Sequence, residues 1–490
     1  MTKINSKNIV PLLLFLLIFT FHLIINLGCS RHSFTHYDIS KNKQNNVIIP
    51  NFDKHVFLAI NLNSSGLESE NSGVLLSEET NHHHHHLNIS KSTNFITDIS
   101  RISHTIPKNS LQSLNHDSNI NFSTTTSNIT FNTTEFNFTV RKIGPEQIMS
   151  LDIIKGIKKY GTESSKCLIY VDENYNDLTV NWTAIGEAFE TIYSQLTNTF
   201  IPDTLSLSLD VDGNDQIILL YYDLGKNNVG GMVTIFDLLD ESSINAYNEI
   251  NPENNQPTIK KDILYLNVNL LSSNQETKNK TTIAHEFQHL ISNHIKIAQS
   301  NGGTFTQFEL WIEEGLAESA AHISDTNYTR SKNINIIHNS SDIANGEGFI
   351  YWNHKVENYA LTYLFFQYLR IHSGLETDFY ANIQKQTLRN YEVLERLFTN
   401  SKEAITFENL LLRFHIATIV NSNDPNSIYG FGKEHSEFKF ERLPNVTITN
   451  SQVFPGGRLV KYLNNKDEYD SLNLNPSGDH IYYYYISGNE

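Results

Sequence analysis

The sequence predicts an α+β fold with three consecutive parts. Between residues 138 and 268, short apolar runs alternate with segments whose apolar residues recur at helical spacing. From residue 281 to residue 420 the helical spacing dominates. After Val446 the pattern changes to short strands separated by glycine and proline turns, which is typical of a small β domain. With 490 residues the chain can bury a large core and hold two or three domains.

The individual elements follow from the same periodicities. The predicted strands are residues 166–171, 216–222, 231–236, 263–268 and 481–486, and the predicted helices are residues 146–159, 182–199, 281–294, 308–323, 356–373 and 407–420. Gly374 is a suitable C-cap for the helix that precedes it. Turns are expected at Pro455-Gly456-Gly457 and at Pro476-Ser477-Gly478.

Charge and cysteine content exclude two classes of protein. The formal net charge is −17, whereas a nucleic-acid-binding protein needs clustered lysine and arginine to bind the phosphate backbone. The chain has two cysteines, Cys29 and Cys167, which is too few for a disulfide framework or a cysteine zinc ribbon. Cys167 lies in an apolar run and is interpreted as a buried structural thiol.

The N-terminus has the pattern of an export signal. Lys3 and Lys7 precede an apolar stretch that extends from Val10 to about Leu27 and leads into Gly28-Cys29. This ending resembles a bacterial lipoprotein signal, which implies a signal peptide over residues 1–28 and acylation of the Cys29 thiol. The alternative is an uncleaved anchor of about 18 residues, the lower limit for spanning a bilayer. In both cases the protein is exported, as a cell-envelope lipoprotein held at the membrane or as a secreted protein.

Residues 29–137 are predicted to form a largely disordered tether. Asparagine, serine and threonine dominate this region, which therefore cannot bury enough apolar surface to offset chain entropy. A short strand over residues 56–60 is the exception that we expect. The run from His82 to His86 could capture metal, but a solvated run in a polar linker is the favoured interpretation.

One acidic loop has part of the pattern of a calcium-binding loop. Asp210, Asp212 and Asn214 occupy loop positions one, three and five, which suit the oxygen ligands of Ca²⁺. Position six is Asp215 where a glycine is needed, and position twelve is Tyr221 where a bidentate glutamate is needed. A polar turn that leads into a strand is therefore favoured over a calcium site.

The strongest chemical motif is the pentapeptide His285-Glu286-Phe287-Gln288-His289. Histidines four residues apart lie on the same helical face and can bind one Zn²⁺ together, with Glu286 placed to take a proton from a metal-activated water. Thr281 or Thr282 is expected to cap the helix. An apolar stripe that includes Phe287 and Leu290 is expected to be buried. By itself, such a short pattern also arises by chance.

A catalytic zinc takes three protein ligands, so the two histidines need a partner. The best candidate is Glu314, with 24 residues between it and His289. Glu318 lies one helical turn later on the same face and could accept a hydrogen bond from the outer nitrogen of a ligating histidine. The competing interpretation makes Glu313, Glu314 and Glu318 a solvated acidic helix face, and the upstream motif disfavours it.

Together these segments resemble a known family. The His285 motif followed by Trp311-x-x-Glu314-Gly315-x-Ala317-Glu318 looks like the gluzincins, zinc peptidases with two histidine ligands and one glutamate ligand, and is most similar to the hyicolysin-type secreted metallopeptidases. The likeness covers roughly residues 138–420, including Ile169-Tyr170-Val171-Asp172 and the segment from Asn358 to Phe365. It implies a zincin-like metallopeptidase domain over residues 138–425, followed by a small β domain over residues 446–490. Glu313 departs from the family pattern, which commonly has Asn or Asp there.

The resemblance implies zinc ligation by His285, His289 and Glu314, with Glu286 as the catalytic carboxylate that hydrolyses peptide bonds in a protein or peptide substrate. The oxyanion needs a further donor, for which Tyr359 is the candidate and Tyr363 and His354 are alternates. Tyr359 could equally be a core residue. His294 and His322 are adequately explained as surface or core histidines.

Two rival functions belong to other classes. One is a catalytically silent, adhesin-like surface lipoprotein that retains the metallopeptidase fold, and the other is metal capture by the run from His82 to His86. An undamaged His285 motif disfavours the first rival, and the zinc content of a chain without the histidine run separates the second from a peptidase. Substrate, cleavage preference and oligomeric state do not follow from the sequence.

Overall fold

The computed structural model describes residues 45–49, 52–65, 70–71, 74–75, 134–143, 149–225, 229–252, 255–272, 274–300, 306–398, 405–438, 452–474 and 480–488. The chain divides into two units, Met1–Asn46 and Val47–Glu490. In the first unit only residues 45 and 46 are described, where strand β1 (Asn45–Ile48) begins. Every predicted site residue that the structure describes lies in the second unit.

The described residues of the second unit form both strands and helices, which confirms the α+β prediction. The strands after β1 are β2 (His55–Asn61), β3 (Glu70–Asn71), β4 (Val74–Leu75), β5 (Glu135–Ile143), β6 (Met149–Tyr160), β7 (Cys167–Asp172), β8 (Ile217–Tyr222), β9 (Gly231–Met232), β10 (Ile263–Asn267), β11 (Gln452–Val453), β12 (Arg458–Leu463), β13 (Asn473–Leu474) and β14 (Ile481–Ser487). The α-helices are α1 (Trp182–Phe200), α2 (Glu241–Ile250), α3 (Glu276–Ser300), α4 (Leu310–Ser324), α5 (Thr326–Asn339), α6 (Ser341–Ala344), α7 (Val356–Ser373), α8 (Asp378–Gln384), α9 (Glu392–Phe398), α10 (Phe407–Val420) and α11 (Lys466–Asp470).

Two apolar runs form the centre of a six-stranded sheet. β7 and β8 are buried at every position, as parallel strands covered on both faces require. They pair in parallel, with Ile169 opposite Leu219, and β10 pairs in parallel on the other side of β8. β5 and β6 extend one side of the sheet and β9 extends the other, in the order β5-β6-β7-β8-β10-β9. These outer strands are antiparallel to their neighbours.

Long helices pack against one face of this sheet and against each other. Phe189 and Tyr193 of α1 contact Phe287 of α3, with ring centroids 5.2 and 5.4 Å apart. α3 packs in turn against α4, and α4 packs against α7. The anchor of α4 is Trp311, which contacts the rings of Phe349, Phe365, Phe366 and Phe407. This packing holds the HEFQH helix between the sheet and the helix that carries Glu314.

A second sheet contains the C-terminal strands and one strand from the predicted tether. β2 lies between β14 and β12 and pairs antiparallel with both. Its residues Val56, Leu58 and Ile60 are fully buried in the main core, while Phe57 and Ala59 pack into a smaller cluster on the opposite face. The expected strand over residues 56–60 is therefore confirmed, but it is the centre of the C-terminal sheet and not part of a tether. The remaining domain boundaries stay predictions.

The predicted helix over residues 146–159 is wrong. Residues 149–160 form β6, which pairs along its length with β5 and in part with β7. The apolar residues Leu151, Ile154 and Ile157 recur every three residues, which fits a helical period and not the alternation of a strand, so the periodicity favoured the wrong element. Gly156 allows the close pairing of β6 with β5, because an added Cβ at this position would lie 2.6 Å from the Phe138 ring on β5.

Most other elements agree with the predictions within a few residues. The helix around the HEFQH motif is longer than expected and begins at Glu276, so Thr281 and Thr282 lie in its interior. The hydroxyl of Thr281 donates to the backbone carbonyl of Thr277 and does not cap the helix. The strand expected over residues 231–236 is short, since only Gly231–Met232 is extended and Ile235–Leu238 forms a 3-10 turn. The helix α7 ends at Gly374 with φ of 71°, as predicted.

Several predictions concern the N-terminal region. The signal peptide, Cys29 and the run from His82 to His86 lie outside the described residues. Among the residues that are described, no helix is long and apolar enough to cross a membrane.

Candidate metal centre

The first two candidate ligands lie on the buried face of α3. His285 and His289 are 4% and 5% exposed, and their Nε2 atoms are 3.1 Å apart. The apolar residues between and after them, including Phe287 and Leu290, are fully buried against the sheet and α1. Because this stripe fixes the rotation of the helix, both imidazoles are turned toward α4.

The third candidate comes from α4. Glu314 is fully buried, and its Oε2 lies 3.2 Å from Nε2 of His285 and 3.6 Å from Nε2 of His289. Gly315 lets α4 approach α7 closely, since an added Cβ would lie 2.4 Å from the Phe366 ring. The Trp311 carbonyl accepts a hydrogen bond of 2.8 Å from the Thr362 hydroxyl, which ties the same two helices together. Packing against α7 thus brings the Glu314 carboxylate to the two histidines.

These three side chains fit one zinc ion. One donor atom from each lies within 4.8 Å of the others. Ligands about 2 Å from a tetrahedral zinc are about 3.3 Å apart, and the observed separations of 3.1 to 3.6 Å match that spacing. The two imidazole nitrogens and one carboxylate oxygen are also a donor set that catalytic zinc commonly takes.

Glu286 is fully buried beside the three candidate ligands but is not one of them. Its side chain contacts strand β9, where an added Cβ on Gly231 would lie 2.6 Å from Cγ of Glu286. A glycine is therefore required there for the carboxylate to keep its position. A cavity of about 20 Å³, lined in part by Glu286 and His285, adjoins the carboxylate and is large enough for one water molecule.

Glu318 contacts the outer nitrogen of His285. Its Oε1 lies 3.6 Å from Nδ1 of His285, and its carboxylate also accepts hydrogen bonds from Lys332 at 3.1 Å and from Asn333 at 3.0 Å. Burial by itself raises the pKa of Glu318, but the charge of Lys332 and the hydrogen bonds from His285 and Asn333 lower it to about 2. The carboxylate is therefore ionised and placed to orient His285.

The candidate oxyanion donors differ in their surroundings. Tyr359 is 3% exposed, and its ring centroid lies 6.4 Å from that of His285. The hydroxyl of Tyr363 is bonded to Nδ1 of His322 at 2.9 Å in the core. The Nδ1 of His354 accepts a hydrogen bond of 3.1 Å from the indole of Trp352. Of the three, Tyr359 is the one for which a ring contact with a candidate ligand is found in the described part of the chain.

The chain is similar to a metalloprotease. Over 259 residues it is 26% identical to the neutral metalloprotease ShpI of Staphylococcus hyicus, a match that covers 50% of this chain and 55% of the relative. The chain thus spans about half the length of the curated relative that it matches. No family model matches the sequence. The similarity supports a relationship to metallopeptidases, at a coarser level than the hyicolysin-type resemblance.

The loop tested for calcium forms the polar turn that the sequence favours. The amide of Asn214 is used within the loop, since Oδ1 accepts from the Gln216 backbone and Nδ2 donates to Asp212. Tyr221, at position twelve, is fully buried in β8. Asp210 and Asp212 do converge with Asp262, but the Lys261 ammonium already lies 3.4 Å from Asp212. The turn leads into β8, as predicted.

His294 and His322 are core residues, as expected. His294 is paired with the buried Asp262 at 2.6 Å, on the side of α3 away from the candidate ligands. Burial, and then the charges of Arg370 and Arg330, lower the pKa of His322 to about 3, so this imidazole is neutral.

The sequence did not single out the cleft beside the metal centre. It has a volume of about 530 Å³, and its walls include Lys278, Tyr328, Lys332 and Tyr359. Lys278, Tyr328 and Lys332 also line the small cavity next to Glu286. Only Lys278 carried a usable sequence signal, because it precedes His285 by seven residues and so lies on the same helical face. Tyr328 and Lys332 come from α5, which was not predicted.

Proposed function

We propose that this protein is an exported zinc-dependent endopeptidase. In this proposal His285, His289 and Glu314 hold the zinc ion, and Glu286 is the general base. The observation that carries it is the convergence of two imidazole nitrogens and one carboxylate oxygen at 3.1 to 3.6 Å, with a buried carboxylate next to them. The similarity to a neutral metalloprotease supports the same activity.

Each residue has a defined task in peptide hydrolysis. Bound zinc would supply a Lewis acid that acidifies water and polarises the peptide carbonyl. Glu286 takes the proton from the attacking water and passes it to the amine that leaves. Glu318 lies 3.6 Å from Nδ1 of His285 and, on a small approach, would accept a hydrogen bond from it, which would fix the tautomer that leaves Nε2 available to the metal. Tyr359 donates a hydrogen bond to the oxyanion.

The export part of the proposal rests on the N-terminal sequence. We propose a signal peptide up to Gly28 and lipid attachment at Cys29, which would hold the enzyme at the bacterial cell envelope. Metabolic labelling with a radioactive fatty acid should mark the wild-type protein but not a Cys29→Ala variant. Equal labelling of both, or export of an unlabelled and uncleaved chain, would reject lipidation.

The activity is tested on the full chain with an unfolded protein as substrate. Cleavage should stop on addition of a zinc chelator and return with Zn²⁺. Glu286→Gln should retain about one zinc per chain and lose at least a hundredfold in kcat. Glu314→Ala should lose both zinc and activity, and Tyr359→Phe should lower kcat with zinc retained. The control is Glu187→Gln, which removes an exposed glutamate on α1 and should change neither.

The outcomes separate the rival functions. Equal cleavage by wild type and Glu286→Gln contradicts the mechanism. Zinc binding without cleavage by the wild type would favour the silent surface protein. A chain that lacks residues 82–86 should keep its zinc and its activity, whereas loss of the zinc would favour metal capture by that run.

A further inference from the structure

We propose that Lys278 and Lys332 make this enzyme selective for substrates with an acidic side chain within about three residues of the scissile bond. The inference rests on the proposed peptidase function and adds the chemical class of the substrate. It is carried by two lysines that line one cleft beside the candidate metal centre.

The position of Lys278 follows from helix geometry. It precedes His285 by seven residues on α3, which is two helical turns and about 10.5 Å along the axis. Seven residues also return to nearly the same face, so Lys278 and His285 line the same small cavity. An extended peptide advances about 3.3 Å per residue, so this distance corresponds to about three substrate residues from the reacting carbonyl.

Lys332 approaches the same space from α5. Its ammonium donates to both carboxylate oxygens of Glu318 at 3.1 Å, and its side chain keeps 25% of its surface exposed. It lines both the cavity at Glu286 and the larger cleft, as Lys278 does. Two cations from two different helices therefore border the path by which a substrate would reach Glu286.

The electrostatics of the pair favour an anionic ligand. Lys278 is half-buried, and its pKa is lowered first by burial and then by the positive charge of Lys332. Two like charges that face a partly desolvated cleft repel each other, and a carboxylate placed between them would interact favourably with both. A lysine side chain of the substrate would instead add a third positive charge.

Two carboxylates near the lysines, Glu318 in the small cavity and Glu357 in the larger cleft, form hydrogen bonds within the protein. Glu318 is 2% exposed and binds Lys332 and Asn333. Glu357 is 5% exposed and accepts a hydrogen bond of 2.9 Å from the Ser340 hydroxyl. Both carboxylates are buried, whereas Lys278 is half-buried and the Lys332 side chain is 25% exposed.

The experiment begins with the substrates that the enzyme cuts. Unfolded proteins are digested with the full-length wild-type enzyme, and the new termini are read by mass spectrometry. One cleaved segment with an acidic residue within three positions is then synthesised in three forms, with Glu, Gln or Lys at that position. We expect kcat/KM to be about tenfold higher for the Glu peptide than for the Gln peptide, and lowest for the Lys peptide.

Variants of Lys278 assign this preference to the cleft. Lys278→Gln should reduce the ratio of kcat/KM for the Glu peptide to that for the Gln peptide to near one, and Lys278→Glu should reverse the preference in favour of the Lys peptide. The matched control is Lys280→Gln, which removes the same charge from the same helix on another face. The preference should also weaken as salt is raised, because salt screens charges at a solvent-accessible site.

The results distinguish a failure of the proposed selectivity from a failure of the proposed peptidase function. If the wild type cleaves the Glu and Gln peptides equally well, or if Lys278→Glu keeps the wild-type order, the selectivity is wrong while the peptidase function stands. If no unfolded protein is cleaved, the proposed function itself fails. Lys332→Gln is read separately through its zinc content, because Lys332 also binds Glu318.

Discussion

At the scale of single residues, the candidate metal centre depends on the neighbours of its functional groups. His285 is held by Glu318, and Glu318 is held by Lys332 and Asn333. Glu286 is placed by a residue with no side chain, Gly231. Glu318 and Asn333 bind neither metal nor substrate in our proposals, but together with Lys332 and Gly231 they determine where the reacting groups lie.

Gly231 gives the first prediction at this scale. In Gly231→Ala the added Cβ would lie 2.6 Å from Cγ of Glu286, so the carboxylate must move. We expect kcat to fall about a hundredfold, because a displacement of about 1 Å at a catalytic group has that effect. Zinc content should not change. The control is Gly156→Ala, which crowds the Phe138 ring in the same sheet away from Glu286, and full activity of Gly231→Ala would contradict the assigned role.

His322 gives a prediction about pH. Its pKa is about 3 in the folded chain and about 6.5 in an unfolded one, so between these values the unfolded state binds more protons. The contribution of His322 to stability is thus complete above pH 6.5 and is lost as the pH falls from 6.5 toward 3. Between pH 7 and pH 5 the loss is about 2 kcal/mol. The surrounding groups are Tyr363, Arg370 and Arg330.

The measurement is urea unfolding of wild type and His322→Gln at both pH values. The variant should lose about 2 kcal/mol less than the wild type over this interval. A difference in the free energy of unfolding that is the same at both pH values is due to the lost hydrogen bond to Tyr363. It does not affect the comparison of the pH dependences. Parallel pH profiles would show that folding does not lower the pKa of His322, which would contradict this prediction.

At the scale of elements, the relation between α3 and α4 determines whether Glu314 reaches the histidines. Next to Glu314, the carboxylate of Glu313 forms a buried ion pair with Lys296 on α3. Both side chains are 1% exposed, and Oε1 of Glu313 also accepts a hydrogen bond of 3.0 Å from the Phe308 backbone. Burial lowers the pKa of Lys296, and the charge of Glu313 opposes that shift. The pair therefore fixes the two helices one residue away from a candidate ligand.

We expect Lys296→Met to destabilise the protein by about 3–5 kcal/mol, because it leaves the Glu313 charge buried without its cation. The double variant Lys296→Met with Glu313→Gln should recover most of this loss, since no charge remains and the glutamine can still accept from Phe308. Thermal unfolding and zinc affinity should change together across the series. The surface control is Lys466→Met, which breaks an exposed pair on α11 and should have little effect. An unchanged zinc affinity in Lys296→Met would show that the pair does not position Glu314.

At the scale of the whole molecule, the second sheet joins distant parts of the chain. β2 belongs in sequence to the low-complexity region, yet it is the central strand between β12 and β14. Without it β12 and β14 lose their shared partner, and Val56, Leu58 and Ile60 are missing from the main core. Each such side chain contributes about 1.5–3 kcal/mol when fully buried.

This architecture predicts the outcome of two truncations. A chain that begins at residue 45 should show the melting temperature of the full protein. A chain that begins at residue 134 should aggregate or melt at a much lower temperature, and a synthetic peptide of residues 45–65 should partly restore it. Equal melting temperatures of the two truncated chains would mean that β2 is dispensable.

The sequence by itself determined the local parts of this protein. Helical spacing was sufficient for α1, α4, α7 and α10, because each has an apolar stripe long enough to exclude a strand. Two histidines four residues apart place their side chains on one face of any helix, so half of the candidate site follows from the motif alone. The sequence also predicts Glu314 as the third ligand, since a zinc site with two histidines needs one more protein ligand.

Tertiary structure decided the features that depend on residues far apart in the chain. The apolar spacing in the β6 segment fits a helix, and pairing with β5 and β7 nevertheless makes it a strand. β2 belongs to its sheet because it pairs with strands about 400 residues later in the chain. No local sequence pattern predicts such a pairing. The same is true of Lys332, which reaches the cleft because α5 packs against α4 and α7. Local periodicity indicates which face of an element is buried, whereas the packing of the whole chain determines which partner covers that face.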